Sequence, residues 1–248
     1  MLVDEAHGSH IHLLQDNSFE DALSCGADVV VQSSHKTLSS LSQTAMMHLG
    51  RHALSSATLA RILHRSFSVL TSTSPNSLLL ASLDAARAHL QSSGRQSIEV
   101  ALDAVQEIKD LCRKHPHKVR ILDDSKEIAN RGLCVDPLRL TLRFAVKNNQ
   151  LIDDQLCEKE DIYCELNLKS CVTYHISIYS TKLSLATLKS SIQGVLEAWD
   201  WEKGVSQSSA GQHNIDFIVQ RNSLTNQISK SPVQRWFVPA RHSPVNTQ

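Results

Sequence analysis

The chain has 248 residues, with 25 basic and 25 acidic side chains and a formal net charge of zero. That length is enough to bury a substantial core in one or two domains, and balanced charge supplies no electrostatic attraction toward nucleic acid or an anionic membrane. No apolar run is long enough to cross a bilayer, and the first residues lack the basic-then-apolar layout of a secretory signal, so a soluble protein is expected.

In chain order, Met1-Leu2-Val3 reads as the end of a buried strand that runs into Asp4-Glu5-Ala6-His7-Gly8. A helical crossover is expected next, with Asn17-Ser18 as its cap and Phe19, Ala22 and Leu23 as its apolar stripe. Val29-Val30-Val31 is an uninterrupted β-branched run, the composition of a strand buried on both faces of a parallel sheet. It stops at Gln32, and a polar cluster follows: Ser33, Ser34, His35, Lys36 and Thr37. A right-handed strand–helix–strand unit places both strand ends at one sheet edge, where ligands bind in open α/β sheets. Asp4 and Lys36 are therefore expected to face one crevice. A lysine flanked there by hydroxyls and an imidazole has the position of a Schiff-base lysine beside phosphate-binding groups. A solvated loop after the strand accounts for the same residues equally well.

Beyond Gly50, the spacing of Leu59, Ile62, Leu63 and Phe67 predicts a helix, interrupted at Thr71-Ser72-Thr73-Ser74-Pro75. Ser74 as cap and Pro75 at the first helical position predict a second helix through Leu90, closing near Gly94. A third carries Ile98, Ala101, Leu102, Val105, Ile108 and Leu111 on one stripe and ends before Pro116. From Lys118 the texture changes. Val119-Arg120-Ile121, the alternating Leu138, Leu140, Leu142 and Phe144, and Val172, Tyr174, Ile176 and Ile178 read as strands with one buried face. Asp136-Pro137 reads as a strand-entry turn. Ser184 opens a helix bearing Leu185, Leu188, Ile192, Leu196 and Trp199, and residues 203–231 read as a Ser/Gln/Asn-rich linker. The expected division is residues 1–116, a smaller α/β domain over 117–202, and a linker and further segment over 203–248. The six cysteines contain no CxxC pair and read as free thiols in a reducing compartment. His7, His10 and His12 lie close together, but nothing supplies clear further ligands, so no metal site is expected. His48 and His52 read as surface residues.

Three blocks carry a resemblance: VDEAHGSH at residues 3–10, CGADVVVQSSHKTLSSLSQTAMMH at 25–48, and TSTSPNSLLLASLDAAR at 71–87. Weaker matches are DPLRLTL at residues 136–142 and Ser231-Pro232. In order and spacing these resemble the major domain of the Orn/Lys/Arg decarboxylases, pyridoxal-phosphate (PLP) enzymes of the aspartate-aminotransferase fold type. The resemblance implies an α/β chain: the C-terminal half of a PLP-dependent transferase-like (fold type I) large domain, followed by a smaller α/β domain. It implies a Schiff base between Lys36 and PLP, and Asp4 against the pyridine nitrogen, where an opposite charge keeps that nitrogen protonated. Ala6 would lie flat against the ring, Ser33 would donate to the phosphate, and His7 would support the site at one remove. Thr71, Ser72 and Thr73 would approach the phosphate of a neighbouring subunit's cofactor, capping being the competing account of that cluster. His35 or Lys36 would return a proton to Cα.

The substrate implied is lysine, arginine or ornithine, giving a diamine or agmatine, in a homodimer or higher homo-oligomer of the cytoplasm or a plastid. The family also has a long preceding portion, holding most of the phosphate cradle and the ring-stacking group, and a further segment at the carboxyl end. The chain therefore reads as an internal piece of such an enzyme. The parent protein is then expected to be the decarboxylase and the isolated chain to have little or no activity; the alternative is a catalytically silent fragment that keeps the fold and acts as a dimerisation or interaction partner.

Overall fold

The three valines lie in the central strand of a three-stranded sheet, formed by β1 (Leu2–Asp4), β2 (Val29–Gln32) and β3 (Met46–Leu49) in the order β1-β2-β3. The computed structural model describes residues 1–14 and 19–201, which form two compact units, 1–95 and 96–201. In the first, β2 runs parallel to β1, with Leu2 opposite Val29 and Asp4 opposite Val31. It runs antiparallel to β3, with Val30 opposite His48 and Gln32 opposite Met46. A central strand needs apolar side chains on both faces, and Val29 and Val30 are buried.

The connection between β1 and β2 departs from expectation. Its described residues form a 3-10 turn at Ile11–Leu13 and a chain of turns in which Cys25 N–H donates to Asp21 O and Ala27 N–H to Ala22 O. The expected cap, Asn17-Ser18, lies outside the described residues. Gly26, at φ +86°, stops any helical run after Phe19 within a few residues, too short a stretch to repay nucleation. Gly50 shows a different use of glycine. Its N–H donates to Asp28 O at 2.8 Å, and a Cβ there would lie 2.0 Å from the Ala27 carbonyl oxygen.

After β2 come α1 (Ser34–Thr37), α2 (Arg51–Ser55) and α3 (Ala57–Leu70), the last capped by Ser56, whose side chain accepts from Leu59 N–H. The stripe of Leu59, Ile62, Leu63 and Phe67 is helical as read, yet no residue of α3 is buried. The two helices predicted across residues 74–116 are one, α4 (Ser77–Arg113). Asn76, not Ser74, caps it, accepting from Leu78 N–H at 3.0 Å and Leu79 N–H at 3.3 Å; asparagine is as good a cap as serine and lies nearer the apolar run. Nor does the helix close at Gly94. A Cβ at that buried position would lie 3.0 Å from a Leu90 methyl and 3.3 Å from a Leu13 methyl, so the glycine makes room for packing.

The second unit is built on β4 (Val119–Ile121), β5 (Arg139–Phe144), β6 (Leu166–Asn167) and β7 (Val172–His175), in the order β4-β5-β7-β6 and antiparallel throughout. Leu138, Leu140, Leu142 and Phe144 are all buried, as their alternation requires. The same core includes Val172, Tyr174, and Leu185, Leu188, Ile192 and Leu196 of α7 (Lys182–Ala198). Thr181, rather than Ser184, opens α7, its Oγ1 accepting from Ser184 N–H at 3.1 Å. The other end of α7 is held from outside: Lys118 Nζ donates to Leu196 O at 2.6 Å and lies 5.6 Å from the centre of a Trp201 ring. Two further helices, α5 (Lys126–Asn130) and α6 (Gln150–Glu160), complete the unit. All six cysteines are free.

Candidate active site at the ends of β1 and β2

Parallel pairing brings the carboxyl ends of β1 and β2 to one sheet edge. Glu5 N–H donates to Val31 O at 2.9 Å, continuing the ladder one step past β1. A regular parallel ladder would next join Ser33 N–H to Glu5 O. Instead Ser33 N–H reaches Ala6 O at 3.2 Å, which draws the 5–8 turn toward the start of α1. Asp4 is exposed at the strand end, and its Oδ1 accepts from Ala6 N–H at 3.1 Å.

Ser33 enters α1 in extended conformation, and its carbonyl accepts from Lys36 N–H at 3.0 Å. Lys36 is exposed, with no hydrogen-bond or ion-pair partner for its ammonium among the described residues. His35 is fixed differently. Its Nδ1 lies 2.7 Å from Thr44 O, and a carbonyl only accepts, so Nδ1 carries the proton and Nε2 keeps the lone pair of the neutral ring. Thr44 is held in turn, donating to Leu41 O at 2.8 Å and accepting from Ser40 Oγ at 2.6 Å. Ser34, Thr37, Ser40 and Thr44 are all buried, so much of the hydroxyl cluster around Lys36 serves the fold.

The remaining predicted residues have local settings of their own. Thr71 Oγ1 donates to Phe67 O at 2.8 Å, closing α3, and Ser72 Oγ accepts from Ser74 N–H at 3.1 Å within the next turn. Thr73 is exposed there, and His7 is exposed in the turn after β1. Asp136 makes the strand-entry turn, its Oδ1 accepting from Leu138 N–H at 3.0 Å. Among the described residues no three His, Cys, Asp or Glu side chains are placed to hold a metal ion, and no helix is long and apolar enough to cross a membrane.

Beside these residues lies a polar network that the motif reading did not single out. Glu5 Oε1 accepts from Ala22 N–H at 2.9 Å, and Glu5 Oε2 accepts from Gln32 Nε2 at 2.6 Å. Gln32 Nε2 also lies 3.3 Å from Gly8 O, while Gln32 Oε1 is 3.1 Å from His48 Nε2. His48 is thus half-buried and engaged with the sheet, not the surface residue expected. The available cue was alternation: Glu5 follows Val3, and Gln32 follows Val30, at the two-residue spacing of one sheet face.

The family model described as Orn/Lys/Arg decarboxylase, major domain, matches residues 1–149. The Bacillus subtilis uncharacterized protein YaaO is 34% identical over 167 residues, covering 67% of this chain and 33% of that protein. A Bacillus subtilis arginine decarboxylase is 41% identical over 110 residues, 44% of this chain and 21% of the relative. The chain thus spans a third or less of the length of these relatives. Among solved structures, the Escherichia coli constitutive lysine decarboxylase aligns with TM-score 0.53 at 17% identity, over 66% of this chain and 28% of that one. The Francisella novicida lysine decarboxylase LdcF aligns with TM-score 0.52 at 20% identity, over 66% and 27%. At such identities the structural likeness speaks for a shared mixed α/β fold alone. The family match over residues 1–149, well beyond half the chain, settles the assignment: this chain belongs to the Orn/Lys/Arg decarboxylase major-domain family.

Proposed function

We propose that the chain carries the lysine-bearing part of the active site of a PLP-dependent decarboxylase acting on lysine, arginine or ornithine. The observation that carries this reading is Lys36, exposed and without a partner for its ammonium among the described residues, beside a sheet edge that also bears Asp4. The residues fit the cofactor. Asp4 keeps one carboxylate oxygen beyond the one Ala6 N–H occupies, and Ala6 presents nothing larger than a methyl group. Bound here, PLP supplies an electron sink for the pair left on Cα when carbon dioxide departs. Lys36 holds it through its amine, Asp4 keeps a proton on the ring nitrogen, and Ser33 donates to its phosphate. His35, its Nδ1–H fixed on Thr44 O, has Nε2 available to move a proton at Cα, a task the Lys36 amine can share. His7 flanks the site, and Thr71, Ser72 and Thr73 contact the phosphate bound to a neighbouring copy.

In this reading residues 1–116 are the C-terminal half of a fold type I large domain, 117–202 the small domain and 203–248 a linker and further segment. Association into a homodimer or larger assembly is supported by α3, where Ile62 is 53% and Val69 74% exposed. The same exposed faces support a second reading, a catalytically silent partner of a decarboxylase. Adding PLP to the purified chain, reducing with borohydride and mapping the labelled peptide tests the site. Label on the peptide containing Lys36, lost in Lys36→Ala, is expected; label scattered over surface lysines overturns the assignment. Carbon dioxide release from lysine, arginine and ornithine then separates the enzyme from the silent partner.

A further inference from the structure

Glu5 is joined to three separate stretches of the first unit. Its Oε1 takes the Ala22 N–H of the β1–β2 connection, and its Oε2 takes the Gln32 amide at the end of β2. Its stem lies across Gly8, where an added Cβ would fall 2.2 Å from Glu5 Cγ and 2.6 Å from Cδ. Gly8 does not have a positive φ, so it is required for space, and the space is filled by Glu5.

The polarity of the network follows from chemistry alone. An ionised carboxylate only accepts, so it turns the Gln32 amide with Nε2 toward Glu5 and Gly8 O. The amide oxygen then faces His48 across the sheet, at 3.1 Å from Nε2. An amide oxygen also only accepts, so His48 must carry a proton on Nε2. Each group in the row is oriented by the one before it, beginning at Glu5.

We infer that Glu5 is the positioning residue of the Asp4–Lys36 edge: its carboxylate sets the amide of Gln32 and the tautomer of His48, and so holds the ends of β1, β2 and β3 in register beside the site. This rests on the functional reading above for what the edge binds, but not for the polarity of the network. In Glu5→Gln the Ala22 N–H keeps the new side-chain oxygen, which leaves an NH₂ group facing the NH₂ of Gln32. Two donors cannot share that contact. Turning the Gln32 amide over relieves that contact and gives up only its longer bond, 3.3 Å to Gly8 O; its nitrogen then faces His48 Nε2, and His48 moves its proton to Nδ1.

The test is nitrogen-15 NMR of the full chain with histidines selectively labelled, the His48 signal being assigned by its loss in His48→Asn. Wild-type His48 is expected with its proton on Nε2 at neutral pH. Glu5→Gln is expected to shift it to the Nδ1–H form, and Glu5→Gln with Gln32→Glu to restore Nε2–H, because the acceptor then sits at position 32. Gly8→Ala, which pushes the carboxylate away, is expected to break the arrangement as Glu5→Gln does. Borohydride-fixed PLP at Lys36 is expected to fall about tenfold in Glu5→Gln and to recover in the double variant, in keeping with the sensitivity of reactive geometry to small displacements. A wild-type His48 bearing its proton only on Nδ1 overturns the inference even where no variant folds. So does a Glu5→Gln protein with an unchanged His48. A wild-type chain that takes no PLP at Lys36 but shows the tautomer switch upholds the role of Glu5 and removes only the functional reading.

Discussion

The backbone N–H of Ser33 donates to the carbonyl of Ala6 at 3.2 Å, one residue beyond where the β1–β2 ladder would have carried it. That single bond joins the turn after Asp4 to the helix that bears Lys36. Proline at position 33 deletes the donor at little backbone cost, since Ser33 already has φ −85° and follows a strand residue. Ser33→Pro is expected to be less stable than Ser33→Ala by about 1 kcal/mol, the net contribution of one hydrogen bond. Urea midpoints of the two variants measure the difference; equal midpoints would show that the contact contributes nothing.

Gly50 passes so close to the Ala27 carbonyl that no side chain fits without moving backbone. Gly50→Ala is expected to cost about 3 kcal/mol, the upper end of overpacking penalties. Thermal melting by circular dichroism measures the loss; an unchanged melting temperature would show that the backbone accommodates the added methyl group.

Lys109, only 6% exposed, pairs with Asp123 after β4. Asp123→Ala leaves a buried ammonium without its counter-charge and is expected to destabilise by about 3–5 kcal/mol. Replacing both partners, Lys109→Met with Asp123→Leu, is expected to recover most of that loss. The neighbouring Arg113–Asp124 pair, at 2.9 and 3.0 Å but solvent-exposed, is expected to contribute no more than about 1 kcal/mol. Chemical denaturation of Asp123→Ala, the Lys109→Met/Asp123→Leu double variant and Asp124→Ala ranks them.

Burial pushes the Cys112 thiol up to about 12. Burial, reinforced by Asp153, does the same to Cys164, up to about 12, and burial raises the Tyr174 phenol as well. Each is a neutral acid in the folded chain that ionises more readily when unfolded. Above pH of about 8.5, the ordinary thiol value, the unfolded state binds fewer protons than the native one, so stability falls as pH rises. For Cys112 the slope approaches about 1.4 kcal/mol per pH unit until pH reaches its folded value. Urea midpoints that are level from pH 7 to 8 and decline from pH 9 to 11 are expected. A thiol reagent at pH 8 should modify exposed Cys134 well before buried Cys112.

The strand ends that carry the candidate site were legible because their signals are local. A β-branched run followed at once by hydroxyls, an imidazole and an amine describes the tip of a buried strand, and Asp4 indeed lies opposite Val31. The alternation from Leu138 to Phe144 was equally direct. What escaped the sequence depends on contacts between distant residues. Gly94 looks like a helix stop until Leu13 and Leu90 are seen filling the space beside it. Helix α6 hides its apolar stripe by burying Asp153 beside Ile152 and Leu156. Met46–Leu49 has no β-branched residue and becomes a strand through pairing with β2. The Glu5–Gln32 bond spans 27 residues, and no local pattern reports which acceptor an amide will find.

Helix α7 has no basic residue in its last turn and takes its terminal cation from Lys118, next to the first residue of β4. Lending that charge across 78 residues couples the opening of two distant segments. Amide protons near Leu196 and those of Val119 to Ile121 should therefore exchange with solvent as one cooperative group, and acetylating a single lysine should uncouple them.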